Sequence, residues 1–164
     1  MNRDDEHRLW ELIKDIRFAM LTNHGGDGHL HSRPLTTQNR EFDDAERRLW
    51  FFISRSSALA QELQRDGNVN LAYANADDDR YVSVAGPATL VEDPAKVESL
   101  WSVPAKAWFP GGPTDPDLQL LAVRVEHAEF WDVKHGKAVQ LLQMAKAAVT
   151  GRPPEDMAEH RELR

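Results

Sequence analysis

Ser54, Arg55, Ser56 and Ser57 fall between a segment patterned as a buried strand, Trp50-Phe51-Phe52-Ile53, and one whose Leu59 and Leu63 lie four apart and so share a helical face. The first amides of a helix have no intrahelical partners, and the aligned peptide dipoles place partial positive charge there. This junction could therefore hold an anion, a phosphate above all. The plainer alternative is that Ser56 or Ser57 only caps the helix and Arg55 is a solvated charge. His29 and His31 are two apart and would share one face of a strand, but no third ligand accompanies them, so they read as polar surface and no metal is expected. Asp77-Asp78-Asp79 lacks the spacing and closing glutamate of a calcium loop and reads as a solvated turn. There is no Gly-x-Ser-x-Gly elbow, P-loop lysine motif or Gly-x-Gly-x-x-Gly fingerprint. No side chain stands out as a general acid or base, so no catalytic residue is assigned.

Composition narrows the chemistry further. A chain of 164 residues fits one domain with a real core. Its net charge of −7 and pI of about 5.5 give no footprint for a phosphate backbone, so nucleic acid is excluded as a partner. With no cysteine there are no disulfides, thiolate metal sites or thiol nucleophiles, and any redox chemistry must come from a cofactor. The polar N-terminus and the lack of a long apolar run predict a soluble cytoplasmic protein with no membrane contact.

The elements that must position the junction can be read in order. Leu9, Leu12, Ile13 and Ile16 predict an amphipathic helix over 4–16, with acids at its start. Residues 18–22 and 29–37 read as a hairpin around Gly25-Gly26-Asp27-Gly28, with Pro34 requiring an edge or a bulge. Strand 49–54 leads into the helix of Leu59 and Leu63, and Arg65-Asp66-Gly67 is read as its stop, with the glycine as C-cap. Val69, Leu71 and Tyr73 alternate with smaller residues in a half-buried strand, a longer strand spans 80–91, and Asp93-Pro94 opens a helix that packs Val97, Leu100 and Trp101 inward. Residues 104–116 carry four prolines and two glycines around Trp108 and Phe109, either a ligand lid or a plug on the end of a core. Strands over 118–126 and 129–133 and a helix over 137–149 complete a single domain of residues 1–151. The charged tail 152–164 is expected to fray. Six or seven strands with short links and no repeated βαβ unit predict a mainly β fold with flanking helices, an antiparallel β-barrel.

Five motifs recur along this path: His31-Ser32-Arg33-Pro34-Leu35, Leu49-Trp50-Phe51-Phe52 with Ser54-Arg55-Ser56-Ser57, Asp79-Arg80-Tyr81-Val82-Ser83-Val84-Ala85-Gly86, Ala107-Trp108-Phe109-Pro110-Gly111-Gly112, and Glu129-Phe130-Trp131. In this order the set resembles the bacterial general stress protein branch of the pyridoxamine 5′-phosphate oxidase-related flavoproteins, from about residue 9 to 151. The resemblance implies an FMN-binding split barrel that forms a homodimer with a flavin at each end of the interface. On this resemblance Arg33, Pro34, Leu35 and Thr36 would run along the ring and ribityl chain. Phe52, Ile53, Ser54, Arg55, Ser56 and Ser57 would hold the ribityl chain and phosphate. Tyr81 would lie near the flavin, and Trp108, Phe109 and Trp131 would wall the cleft from the other subunit.

Two departures qualify that implication. Members of the family commonly carry a lysine for the phosphate about where this chain has Leu59, so Arg33 or Arg55 must supply the positive charge. A looser phosphate end would also leave room for FAD. The C-terminal Arg-x-His type substrate element of the vitamin-forming oxidases is replaced by Trp131-Asp132-Val133-Lys134-His135-Gly136, so pyridoxamine 5′-phosphate oxidation is not expected. The readings that remain are a flavin-dependent oxidoreductase using a nicotinamide donor, a flavin-binding stress sensor without turnover, or a split barrel holding a deazaflavin or haem.

Overall fold

The computed structural model describes residues 3–42, 46–132, 144 and 159–163. Helix α1 (Arg3–Ile13) buries Leu9, Leu12 and Ile13, the spacing of one helical face. It is followed by β1 (Ala19–His24) and β2 (Leu30–Leu35), an antiparallel hairpin in register from Ala19↔Leu35 to His24↔Leu30. Gly28 in its turn has φ +83°, a conformation that favours glycine. Then come β3 (Arg48–Ser54), α2 (Ala58–Arg65), β4 (Asn68–Asn75), β5 (Arg80–Val91), α3 (Pro94–Leu100), two short 3₁₀ turns (Val103–Ala107 and Gly112–Thr114), β6 (Leu118–Arg124), β7 (His127–Asp132) and β8 (Glu159–Leu163). The helix expected over 137–149 lies outside the described residues, Met144 apart. The tail expected to fray contributes β8, which pairs with β7. Arg161 of β8 donates to the buried carboxylate of Asp5 at 2.8 Å, which ties that strand to α1.

All pairings are antiparallel, in the order β2-β1-β4-β5-β6-β3, with β7 beside β5 and β8 outside β7. The sheet curls until its two ends meet at one bridge, Thr37↔Phe51, reinforced by the Gln38 amide donating to the Trp50 carbonyl at 2.8 Å. The result is a half-barrel packed by α1, α2 and α3, the split-barrel architecture that the family resemblance implies. β5 makes the curl possible by exchanging neighbours along its length. Residues 80–85 face β7, and residues 88–91 face β6. At the changeover a Cβ on Gly86 would lie 1.8 Å from the Arg124 carbonyl oxygen, so only glycine lets the β6–β7 link cross there.

β3 divides its side chains between two cores. Leu49, Phe51 and Ile53 point into the barrel with Leu21, Leu71, Tyr73, Val84, Leu121, Val123 and Phe130, closed by Leu9 of α1 and by Leu59 and Leu63 of α2. Trp50 points outward with Leu118, Leu120 and Ala122 against Val97 and Leu100 of α3 and against Phe109, with Phe52 at the edge of this cluster. Inside the barrel the Tyr73 hydroxyl shares a 2.9 Å hydrogen bond with Thr37 Oγ1, at the point where the sheet ends meet, and burial pushes the phenol well above its ordinary range. Asp93 caps α3 through the Lys96 amide with Pro94 in the first turn, as its sequence predicts. The reading of Gly67 as a C-cap gives way to another role. Asp66 ends α2 in extended conformation, and a Cβ on Gly67 would meet the Ala88 carbonyl oxygen at 2.7 Å, so this glycine permits close contact with β5.

Candidate functional site

β2 and β3 are the two ends of the strand order, so each has a ladder partner on one side only. Beyond Thr37↔Phe51 no ladder joins their facing edges among the described residues, and the gap between them is the candidate cleft. Arg33, Pro34, Leu35 and Thr36 border one side; Phe52, Ile53 and Ser54 border the other; Arg55, Ser56 and Ser57 stand at its end, where α2 begins. The cleft is thus built from the two segments the sequence singled out.

Alternation on β2 decides which of its side chains reach the cleft floor. Register with Leu21 and Ala19 sets Arg33 and Leu35 toward the barrel interior, and register with Met20 sets Pro34 outward. Arg33 is held from three sides. Its Nη1 donates to Asn23 Oδ1 at 2.8 Å and lies 2.9 Å from Glu62 Oε2, and its Nη2 donates to Glu62 Oε1 at 3.2 Å. Glu62 is 9% exposed and also accepts from Asn23 Nδ2 at 2.9 Å. Hydrogen bonds from Asn23 and then from Arg33 hold its carboxyl below the ordinary glutamate range. His31 stands beside this group, with Nδ1 3.6 Å from Glu62 Oε1 and Nε2 3.1 Å from Asp27 Oδ2.

At the other end, Ser57 is the N-cap of α2. Its hydroxyl donates to the Ser54 carbonyl at 2.7 Å and accepts from the Ala60 amide at 3.2 Å. The amide of Ser56 donates to Asp117 Oδ1 at 3.0 Å, and the Ser54 and Ser56 hydroxyls, 3.0 Å apart, share a hydrogen bond. Hydrogen bonding, from the Ser54 hydroxyl first and then from the Ser56 amide, holds Asp117 below its ordinary range. Arg55 forms a two-pronged pair with Glu92 at 2.6 and 3.2 Å. Leu59, in the place of the lysine common in the family, is buried in the barrel core. Beside the Arg55–Glu92 pair a shallow groove of about 420 Å³ runs between α2, the end of β5 and Gln119.

The aromatic residues divide. Phe109 is buried, edge-on to Phe52 with ring centres 6.5 Å apart, so it plugs the outer core behind β3. Its neighbour Trp108 is 82% exposed. Tyr81 and Trp131 pair across β5 and β7 on the outer face of the sheet, where Trp131 stacks on His160 at 5.0 Å. Their row continues through Ala74, and Met20 and Phe18 are also exposed on the β1 side. One protomer therefore does not bring Tyr81 and Trp131 to the β2–β3 cleft. The sequence reading missed Asp117 and Glu62. Asp117 meets Ser56 across a separation of 61 residues, which no local pattern reports. Glu62 was legible, because a glutamate beside Leu63 on a core-facing helix requires a buried partner.

The curled antiparallel sheet with its one bridging closure defines a split barrel. The family described as "Pyridoxamine 5′-phosphate oxidase like" matches residues 4–155, and the chain belongs to that family. A general stress FMN/FAD binding protein from Xanthomonas citri is 34% identical, with 80% of this chain and 90% of that one covered at a TM-score of 0.67. A proposed general stress protein 26 from Jannaschia sp. CCS1 is 28% identical over 99% of both chains, with a TM-score of 0.74. Protein bli-3 of Neurospora crassa is 26% identical over 93% of this chain and 79% of its own length.

Such a flavin can be tested against the residues present. The strand edges and the floor at Leu35 suit a flat ring and a hydroxylated chain. The phosphate end is different: the Ser56 amide, just ahead of the helix cap, serves Asp117, and Arg55 already has a carboxylate partner. Among the described residues no helix is long and apolar enough to cross a membrane, and no group of three or more potential ligands is arranged for a metal ion.

Proposed function

We propose that this chain is a flavin-binding protein of the general stress type, holding FMN or FAD in the β2–β3 cleft at a homodimer interface. The observation that carries the reading is the split itself. Two strand edges, joined only at Thr37↔Phe51, offer unpaired backbone groups along a slot floored by apolar side chains. An incomplete ladder needs a partner, and the edge of a flat heterocycle is one. The outer face supports the dimer. Phe18, Met20, Tyr81 and Trp131 expose apolar surface there, and a second copy would cover it while bringing Tyr81 and Trp131 to the neighbouring cleft.

A bound flavin supplies electron- and hydride-transfer chemistry of its own. The protein's part would be to orient the ring against β2, exclude water with the partner's aromatics and hold the cleft rigid through Arg33–Glu62. We take the activity to be that of a flavin-dependent oxidoreductase fed by a reduced nicotinamide. A second reading, flavin binding or sensing without turnover, draws support from the cleft's ionisable groups, since Arg33, Glu62, Arg55 and Asp117 are all engaged structurally. Stopped-flow mixing of flavin-loaded protein with NADH or NADPH separates them. Rapid bleaching with reoxidation in air supports the enzyme, and unchanged flavin absorbance supports the binding module.

A further inference from the structure

A flavin offers the cleft three parts, a ring, a ribityl chain and a terminal phosphate, and the chain's own residues treat them unequally. The geometry points to Asp117 as the occupant of the anion position at the start of α2, an inference that rests on the flavin reading. The cleft then takes a flavin by its ring and ribityl chain and gains little from a terminal phosphate.

Four observations converge. The Ser56 amide, just ahead of the Ser57 cap in the segment that the resemblance assigns to the phosphate, already donates to Asp117 Oδ1 at 3.0 Å. The hydroxyls of Ser54 and Ser56 lie 3.0 Å apart and share a hydrogen bond with each other, and Ser57 gives its one proton to the Ser54 carbonyl while it accepts from the Ala60 amide as the cap. Arg55, the guanidinium beside the serines, is engaged by Glu92 on two prongs, and Arg33, at the other end of the cleft, is engaged by Glu62. Leu59 is buried among apolar residues and brings no charge.

At this end one guanidinium, Arg55, thus stands against two carboxylates, Glu92 and Asp117. A phosphomonoester adds about −1.5 to −2 charges at neutral pH. It would have to displace Asp117 from the amide and Glu92 from Arg55, two exchanges of one anion for another. Riboflavin, which ends in a hydroxyl, needs neither. Asp117 is therefore a specificity-determining residue, and its charge acts against FMN and FAD but not against riboflavin. Its place is fixed by the backbone, because the Arg55 amide donates to the Asp117 carbonyl at 2.7 Å and the Asp117 amide donates to Asp115 Oδ1 at 3.0 Å.

The test is a set of equilibrium titrations following quenching of flavin emission, with riboflavin and FMN added separately to wild type, Asp117→Asn and Glu92→Gln. The wild type is expected to bind the two ligands within threefold of each other. Asp117→Asn should tighten FMN at least tenfold and leave riboflavin within twofold. Glu92→Gln frees Arg55 and should shift affinity the same way, so the proposal stays exposed if the first variant does not fold. Wild type preferring FMN by tenfold or more, or variants that move both ligands equally, overturns the role of Asp117 while leaving flavin binding intact. Failure of both ligands to bind any of the three proteins overturns the flavin reading, and this proposal with it.

Discussion

Replacing Arg33 with alanine separates a structural strut from a ligand contact. In the structure Arg33 makes three close polar contacts, with Asn23 at 2.8 Å and Glu62 at 2.9 and 3.2 Å, and its side chain is 29% exposed. Its removal leaves the Glu62 carboxylate, 10% exposed, with only the 2.9 Å bond from Asn23 Nδ2 as a neutral partner. A hydrogen bond to a charged group contributes about 1.5–3 kcal/mol, and water entering the vacated space offsets part of the loss of two. The net cost is about 3 kcal/mol, which at roughly 2–4 °C per kcal/mol for a chain of this size lowers Tm by roughly 6–12 °C. The loss should appear without flavin, in thermal melts followed by circular dichroism. It should also be coupled: Arg33→Ala with Glu62→Ala should cost less than the two single changes together. The pH dependence has a definite sign. Glu62 has a lowered pKa in the folded state, so the pair stabilises fully above the ordinary glutamate value of about 4.3 and loses its contribution as pH falls through the folded value. The gap in Tm between wild type and Arg33→Ala is therefore constant from neutrality down to about the ordinary value and narrows below it. An Arg33→Ala protein melting within about 2 °C of wild type, less than 1 kcal/mol on the same scale, or a gap that widens in acid, refutes the strut.

Gly86→Ala forces a Cβ to 1.8 Å from a backbone oxygen, so the β6–β7 link must shift and lose the Glu126 amide bond to Ala85 and the Val125 amide bond to Arg47. A loss of about 3 kcal/mol or more is expected, read as poor soluble yield or a Tm lowered by roughly 6 °C or more. Ser57→Ala removes the α2 cap for about 1 kcal/mol, read by the same melts as a drop of a few degrees with riboflavin affinity retained. Ala74→Arg places a charge on the exposed outer face beside Tyr81, and light scattering should find a monomer with weakened flavin binding.

Much of the fold was legible because the relevant signals are local. The alternation of Val69, Leu71 and Tyr73, the twelve-residue run of β5 and the Asp93-Pro94 cap each follow from neighbouring residues. What was illegible depends on distant pairing. Gly67 resembles a helix stop in sequence, but the Ala88 carbonyl that demands it lies on another strand. The pairing of residues 159–163 with β7 is set by register across the sheet and by Asp5, not by the composition of a charged tail. Trp108 and Phe109 are adjacent in sequence, yet one is buried on Phe52 and the other exposed, because the 3₁₀ turn sends them to opposite sides. At the site, the serines were found from their place at a helix start, whereas the anion they serve, Asp117, arrives from the β6 approach.

The central claim is that the β2–β3 cleft binds a flavin, and its most direct test is an emission-quenching titration of riboflavin into purified protein, with the absorbance of the bound form recorded at saturation. A flavin seated in the cleft predicts saturable quenching at one flavin per chain, together with a shifted and structured flavin band. Linear, unsaturated quenching with free-flavin absorbance, repeated with FMN and with FAD, would contradict it.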